Sequence, residues 1–101
     1  MIDKIKEYYK LIKVKIVNYN SLVINDLCVF SNQLWVATDD GLWVQKNDKL
    51  PYEKINSISE KRIYRIVPDS FGYVWVSILG YGIIKLDGIS KQVVNTFLNP
   101  S

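Results

Sequence analysis

The chain has 101 residues, of which 49% are hydrophobic and 23% charged, and its net charge at pH 7 is +3. This composition is typical of a folded chain of about one domain, and the small charge excess favours solubility over a nucleic-acid surface. Because histidine is absent and Cys28 is the only cysteine, an intramolecular disulfide and the usual zinc sites are excluded.

The N-terminal segment supports two interpretations. Apolar residues from Ile2 to Ile16 recur at helical spacing. From Ile12 to Ile16, however, apolar residues alternate with lysine, and this pattern favours a strand over residues 11–19. For residues 2–10 the sequence does not decide between a helix and a strand. We expect no membrane insertion, because there is no export signal and no apolar run reaches the roughly 18–20 residues of a membrane-spanning helix.

Two hairpins of similar form follow. The stretch 33–46, QLWVATDDGLWVQK, reads as two strands joined by a tight Asp-Asp-Gly turn, and the stretch 73–86, YVWVSILGYGIIKL, has the same form. Further short strands complete each unit. The predicted strands are 22–30, 33–38, 41–46 and 52–56 in the first unit, and 63–68, 73–78, 82–87 and 92–98 in the second.

The two units share one register. Trp35 and Trp75 lie 40 positions apart, whereas Gly41 and Gly82 lie 41 apart, which indicates a one-residue insertion in the second turn. Asn32 and Gly72 each stand three residues before a tryptophan, and both residue types tolerate the left-handed conformation of a turn. At an offset of 84, residues 2–5 match residues 86–89, so the first segment resembles the end of a preceding unit.

About four short strands in a 40-residue period are typical of a β-propeller blade. Blades cover each other on both faces, which explains why these strands are apolar on both sides. We therefore predict an all-β propeller fragment in which Trp35, Trp75 and Trp43 pack between four-stranded antiparallel blades. The alternative is an ordinary antiparallel sandwich. The predicted division is a terminal strand of a preceding blade at 1–20, a first blade at 21–57 and a second blade at 58–101.

The residues around the second tryptophan resemble a known repeat family. The stretch 67–76, VPDSFGYVWV, is similar to the D-x-x-G-x-(L/V)-W-(I/V) core of two-component regulator propeller repeats, and the stretch 34–42, LWVATDDGL, to their LW-(I/V)-GT-x-x-GL half. The resemblance covers about 80 of the 101 residues. The first unit departs from the pattern, since it has Val29 and Asn32 where the second has Asp69 and Gly72.

The resemblance implies a sensor region. Proteins of this family are typically hybrid sensor kinases of bacteria, whose propellers lie outside the inner membrane and respond to extracellular ligands that are often glycan fragments. We therefore expect a non-enzymatic segment of a sensory propeller, periplasmic if it is part of such a sensor. The expected partners are further blades, from copies of this chain or from a longer parent chain, and a carbohydrate ligand. A self-assembling or protein-interaction module without a small-molecule ligand is the alternative.

A ligand site is expected where the loops between second and third strands meet the loops between blades. Tyrosines there would stack on a sugar, and carboxylates and a guanidinium would bind its hydroxyl groups. The candidate ligand-binding residues are Tyr19, Asp39, Asp40, Arg62 and Tyr81. No catalytic residues, metal site or cofactor are expected, because histidine is absent and the carboxylate pair Asp39-Asp40 reads as turn chemistry.

Overall fold

Two antiparallel sheets of four strands each make up the part of the chain that the structure describes. A computed structural model describes residues 23–47, 49–58 and 62–99, and these residues contain no helix. The first sheet consists of β1 (Ile24–Phe30), β2 (Gln33–Thr38), β3 (Gly41–Gln45) and β4 (Glu53–Lys54), and the second of β5 (Ile63–Pro68), β6 (Tyr73–Ile78), β7 (Gly82–Asp87) and β8 (Val93–Leu98). In both sheets the spatial order follows the chain order.

The sequence-based strand predictions agree with these bounds to within two residues at each end, but the fourth strand of the first sheet is less than half as long as predicted. That strand was predicted over 52–56 but contains only Glu53 and Lys54. Pro51 lacks a backbone N–H, and Tyr52 is buried instead of paired in the ladder. The predicted strand over 11–19 and the proposed preceding blade at 1–20 lie outside the described residues.

The turns also follow the predicted pattern. The β2–β3 turn contains residues 39–40 and the β6–β7 turn contains residues 79–81, so the predicted insertion lies in the second turn. Asn32 and Gly72 have positive φ angles of 59° and 91°, as expected for left-handed turn positions. Both first strands carry an irregularity at the same place, between Ile24 and Asp26 in β1 and between Ile63 and Arg65 in β5. The repeat therefore extends to the local distortion of the strand.

The core lies between the two sheets. Trp35, Ala37, Leu42 and Val44 belong to the face of the first sheet that contacts the second. The second sheet contributes the aliphatic side chains of its inner face, which are Ile63, Ile66, Val74, Val76, Ile78, Ile84 and Leu86. Side chains alternate across a strand, so Trp75, between Val74 and Val76, points to the opposite face of the second sheet.

Polar contacts join the two first strands. Asn25 Nδ2 donates a hydrogen bond to the Ile63 carbonyl at 2.8 Å, and the Ile66 N–H donates to Asp26 Oδ2 at 2.9 Å. The later residue of β1 contacts the later residue of β5, so the two strands lie side by side and run in the same direction. At the other end of β1, the ring of Phe30 lies against Gly88 in the β7–β8 turn.

Candidate functional site

Four of the predicted ligand residues, Asp39, Asp40, Arg62 and Tyr81, lie in the described ranges and belong to one end of the two sheets. We call this the β2–β3 end; it contains the turns 39–40 and 79–81 and the beginnings of β1 and β5. Each turn is hydrogen-bonded to the residue that directly precedes the first strand of its sheet. The Asp39 N–H donates to the Val23 carbonyl, and the Leu79 N–H donates to the Arg62 carbonyl, both at 3.1 Å. Strand pairing thus brings loops distant in sequence to one surface.

The first of these turns is shaped by a buried hydroxyl group. Thr38 Oγ1 donates to the Gly41 carbonyl at 2.7 Å and accepts from the Asp40 N–H at 2.9 Å. Gly41 has a φ angle of 101°, a conformation that residues with a Cβ rarely adopt. The indole N–H of Trp43 closes the turn by donating to the Asp40 carbonyl at 3.0 Å. The Asp-Asp-Gly sequence is therefore used for turn geometry, as its chemistry indicates.

Both carboxylates of this turn already have partners within the chain. Asp39 Oδ1 accepts from Asn25 Nδ2 at 2.9 Å, and Asp40 Oδ1 lies 3.5 Å from Lys54 Nζ. The Lys54 ammonium also lies 5.8 Å from the centre of the Trp43 ring, within the range of a cation–π interaction. A ligand that binds either carboxylate would have to share it with these groups.

In the second turn, Tyr81 is less exposed than a tyrosine that stacks on a ligand, as the sequence predicts, would be. Tyr81 is half-buried and packs against the core between the sheets, whereas Arg62 is exposed. A shallow depression of about 210 Å³ lies beside this turn, and Tyr64, Leu79, Ile83 and Asn99 are among its lining residues. The predicted site residue Tyr19 lies outside the described part of the chain. The β2–β3 end therefore carries the four described candidates, but the depression is lined by other residues.

The three tryptophans occupy different surfaces. Trp35 is fully buried between the two sheets, where its ring meets that of Phe30 edge-on at 6.3 Å. Trp43 lies on the opposite face of the first sheet, beside a small buried cluster that contains Val36 and Tyr52. Trp75 is half-buried on the outer face of the second sheet and has no sheet packed against it among residues 23–47, 49–58 and 62–99.

This outer face of the second sheet is a surface that sequence reasoning did not single out. We call it the Trp75 face; its members on the paired strands are Arg65, Val67, Tyr73, Trp75, Ser77, Ile83, Lys85, Asp87, Asn95 and Phe97. Trp75 stacks on Phe97 with 5.8 Å between ring centres and 22° between ring planes. The Lys85 ammonium lies 4.0 Å from the centre of the Tyr73 ring and 5.2 Å from that of Trp75. The surface thus combines aromatic rings with the cationic side chains of Arg65 and Lys85 and the carboxylate of Asp87.

A carboxylate at the edge of the Trp75 face holds its tryptophan in place. Asp69 Oδ2 accepts from the Trp75 indole N–H at 2.9 Å, while Oδ1 accepts from the backbone N–H groups of Phe71 and Tyr73. The hydrogen bond from Trp75 has the largest effect and lowers the pKa of Asp69 below its usual value. The two backbone hydrogen bonds and the positive charge of Lys85 lower it further. The Asp and Trp of the family-like motif therefore form one hydrogen-bonded unit.

A second feature that the sequence did not indicate is a cleft of about 220 Å³ between the first sheet and the β7–β8 turn. Its charged lining residues are Lys46, Glu53, Lys54 and Lys91. Burial, and then the charge of Lys46, lower the pKa of Lys91, and Glu53 partly offsets this effect. These residues come from separate strands and turns, so no local sequence signal identifies the cleft.

Within the described ranges, no group of three or more His, Cys, Asp or Glu side chains could hold a metal ion. The same part of the chain contains no helix long and apolar enough to span a membrane. A scan against protein-family models and searches of curated proteins and of solved structures found no match. The resemblance to two-component regulator propeller repeats therefore depends on the motifs quoted for it.

Proposed function

We propose that the chain is a two-blade segment of a β-propeller and works as a non-enzymatic, ligand-binding part of a sensor similar to those of two-component regulators. One observation carries the propeller part of the proposal. Trp35 and Trp75 hold equivalent positions in two sheets of the same strand order, yet among the described residues only the Trp35 face is covered by a following sheet. A repeat in which each sheet covers the preceding one leaves the last face for a further blade.

The directions of the strands support the same arrangement. In a propeller the first strands of neighbouring blades lie side by side around the axis and run in the same direction, as β1 and β5 do. Further blades would come from copies of this chain or from a longer parent chain. In a parent similar to the family, the segment would lie in the periplasm.

The ligand surface that we propose is the β2–β3 end. Asp39 and Arg62 are exposed there and Tyr81 is half-buried, and these side chains can bind the hydroxyl groups and the apolar face of a sugar. Because Asp39 and Asp40 are held by Asn25 and Lys54, their carboxylates stand in defined positions.

The test is a titration of the isotope-labelled chain with neutral and acidic oligosaccharides, followed by NMR. We expect resonances of residues 39–40, 62 and 79–81 to shift, and Tyr81→Ala to weaken binding about tenfold, since an aromatic contact contributes on the order of 1 kcal/mol. Ile89→Ala, an exposed change in the β7–β8 turn, is the matched control. Shifts confined to other residues, or binding that Tyr81→Ala leaves unchanged, would contradict the proposed site.

A self-assembling or protein-interaction module is the second candidate, and the composition of the Trp75 face favours it. Where the covered face of the first sheet has Asp26 and Val44, the Trp75 face has Arg65 and Lys85. A following blade bound in the same way would meet two positive charges, so this face suits a partner that combines apolar side chains with carboxylates. A stable complex without affinity for oligosaccharides would favour this candidate.

A further inference from the structure

The two sheets end in outer strands of very different character. β4 consists of Glu53 and Lys54, both charged, and Pro51 precedes it closely. Short length, charge and a nearby proline all hinder pairing with another strand. β8, by contrast, has six residues, Val93–Leu98, and residues 92–101 carry no charged side chain. Only the first sheet is therefore protected at its outer edge.

The free edge of β8 is exposed and apolar on both faces. β8 is the last strand of the second sheet, and the side chains of Val94, Phe97 and Leu98 are 50%, 47% and 64% exposed. Phe97 belongs to the Trp75 face, whereas Leu98 is paired with Gly82 on the other side of the sheet. An uncharged strand of this length with an open edge is a template for the addition of another strand.

The backbone geometry shows which groups face the open edge. The Asn99 N–H donates to the Tyr81 carbonyl at 2.9 Å. In an antiparallel ladder, alternate residues direct their N–H and C=O groups to the neighbouring strand. With the observed register, Phe97 is bonded to β7, and the backbone groups of Thr96 and Leu98 point away from the sheet.

The side chain of Asn95 confirms this direction, because its Oδ1 accepts the Thr96 N–H at 2.8 Å on the exposed side of β8. A carbonyl group of an added strand can replace this exposed side-chain amide as the acceptor of the Thr96 N–H. The open edge therefore offers a backbone donor that no strand of residues 23–47, 49–58 or 62–99 satisfies.

We propose that β8 pairs antiparallel with β8 of a second copy of this chain, so that two second sheets join into one continuous sheet across a twofold axis. The occupant is a second copy because a strand paired antiparallel with itself is self-complementary and closes after two subunits. Two chains of net charge +3 can approach along this edge without like charges facing each other, since residues 92–101 are uncharged. The pairing does not depend on the proposed propeller, because it leaves the Trp75 face free.

The first test is the mass in solution, measured by size-exclusion chromatography with light scattering over a range of concentrations up to about 1 mM. We expect the 11.7 kDa chain to form a species of twice that mass. The variant Val94→Lys with Leu98→Lys places like charges on both pairing strands, and we expect its dissociation constant to rise about tenfold or more. Phe71→Lys with Ile89→Lys is the matched control, because it adds the same charge at exposed turn positions and should leave the dimer intact.

A second measurement locates the interface without a substitution. Dimer formation at β8 should slow the exchange of the outward-pointing amide protons of Thr96 and Leu98 as concentration rises, and leave that of Phe97 nearly constant. A monomer at all concentrations would overturn the proposal, as would an assembly whose Thr96 and Leu98 exchange does not depend on concentration. A trimer or tetramer that the β8 lysines leave intact would instead support blades closing a ring.

Discussion

At the scale of single residues, the second repeat depends on Asp69 more than on any other polar group of its first turn. The carboxylate binds two backbone N–H groups and the indole of Trp75, so it orders the turn and the largest side chain of the Trp75 face together. In the observed strand register the first repeat has Phe30 at the corresponding position, one residue after Val29, and it forms its β1–β2 turn from Ser31 and Asn32, both with positive φ angles. The two sheets thus join their first two strands by different turns, residues 31–32 in the first and residues 69–72 in the second.

We predict that Asp69 makes the stability of the chain sensitive to acid. Its pKa is lower in the folded than in the unfolded chain, so its contribution is fully present above the ordinary carboxyl pKa of about 4 and is lost as the pH falls through the folded value. Asp69→Asn should remove this part of the pH dependence and expose Trp75 to solvent. Urea unfolding between pH 7 and pH 2, followed by tryptophan fluorescence, measures both effects. Equal acid sensitivity of the two proteins would contradict the assignment.

At the scale of strands and turns, the close approach of β7 and β8 depends on a glycine. Gly82 is buried with a φ angle of 154°, and a Cβ at this position would collide with the Phe97 carbonyl and lie 2.9 Å from the Leu98 Cα. The obstacle is backbone, which cannot move without opening the strand pair. The residue is therefore required by the spacing of two strands, in addition to the turn that it follows.

We expect Gly82→Ala to destabilise the chain by about 2–4 kcal/mol, because it adds a backbone collision to an unfavourable φ angle. Gly80→Ala is the matched control: Gly80 also has a positive φ angle, 76°, but no atom within 4 Å of the added Cβ. Its cost should be about 1 kcal/mol, the cost of the conformation alone. Denaturant unfolding of the three proteins measures the difference, and equal losses would show that β8 adapts to the added methyl group.

At the scale of the whole molecule, the two sheets differ in how many of their faces are buried. The first sheet is buried on the side of Trp35 and again around Val36 on its other side. Within the described part of the chain, the second sheet is buried only on the side of Val74 and Val76. Many of the exposed large hydrophobic side chains belong to it or its turns, and such concentration on one region indicates a binding surface.

This asymmetry predicts different costs for two equivalent substitutions. Trp35→Ala removes a fully buried ring and should cost about 3–5 kcal/mol, or prevent folding, whereas Trp75→Ala should cost about 1–2 kcal/mol because its ring is partly in water. Urea denaturation at low protein concentration measures both values, and acrylamide quenching of fluorescence reports the exposure of Trp75. Equal costs would mean that the Trp75 face is covered in solution.

Much of the local structure follows from the sequence alone. Alternating and continuous apolar runs, with Asp-Asp-Gly, Asn32 and Gly72 as turn signals, predict all eight described strands and the inserted residue in the second turn. These features are local, because hydrogen bonding within a hairpin and the conformational limits of turn residues involve neighbours in the chain. The one shortened strand, β4, lies beside Pro51, where the ladder loses a donor.

The site was predictable only in outline. The sequence placed Asp39, Asp40, Arg62 and Tyr81 at one end of the sheets, but their partners Asn25 and Lys54 are distant in sequence and were not foreseen. The same limit applies to the tryptophans. Trp35 and Trp75 stand in similar motifs, so the sequence does not show that the first is buried and the second partly exposed. Their burial depends on whether another sheet packs against each face. Strands and turns are thus determined by neighbours along the chain, whereas the open Trp75 face and the free β8 edge are decided by tertiary packing, since only it determines which surfaces remain uncovered.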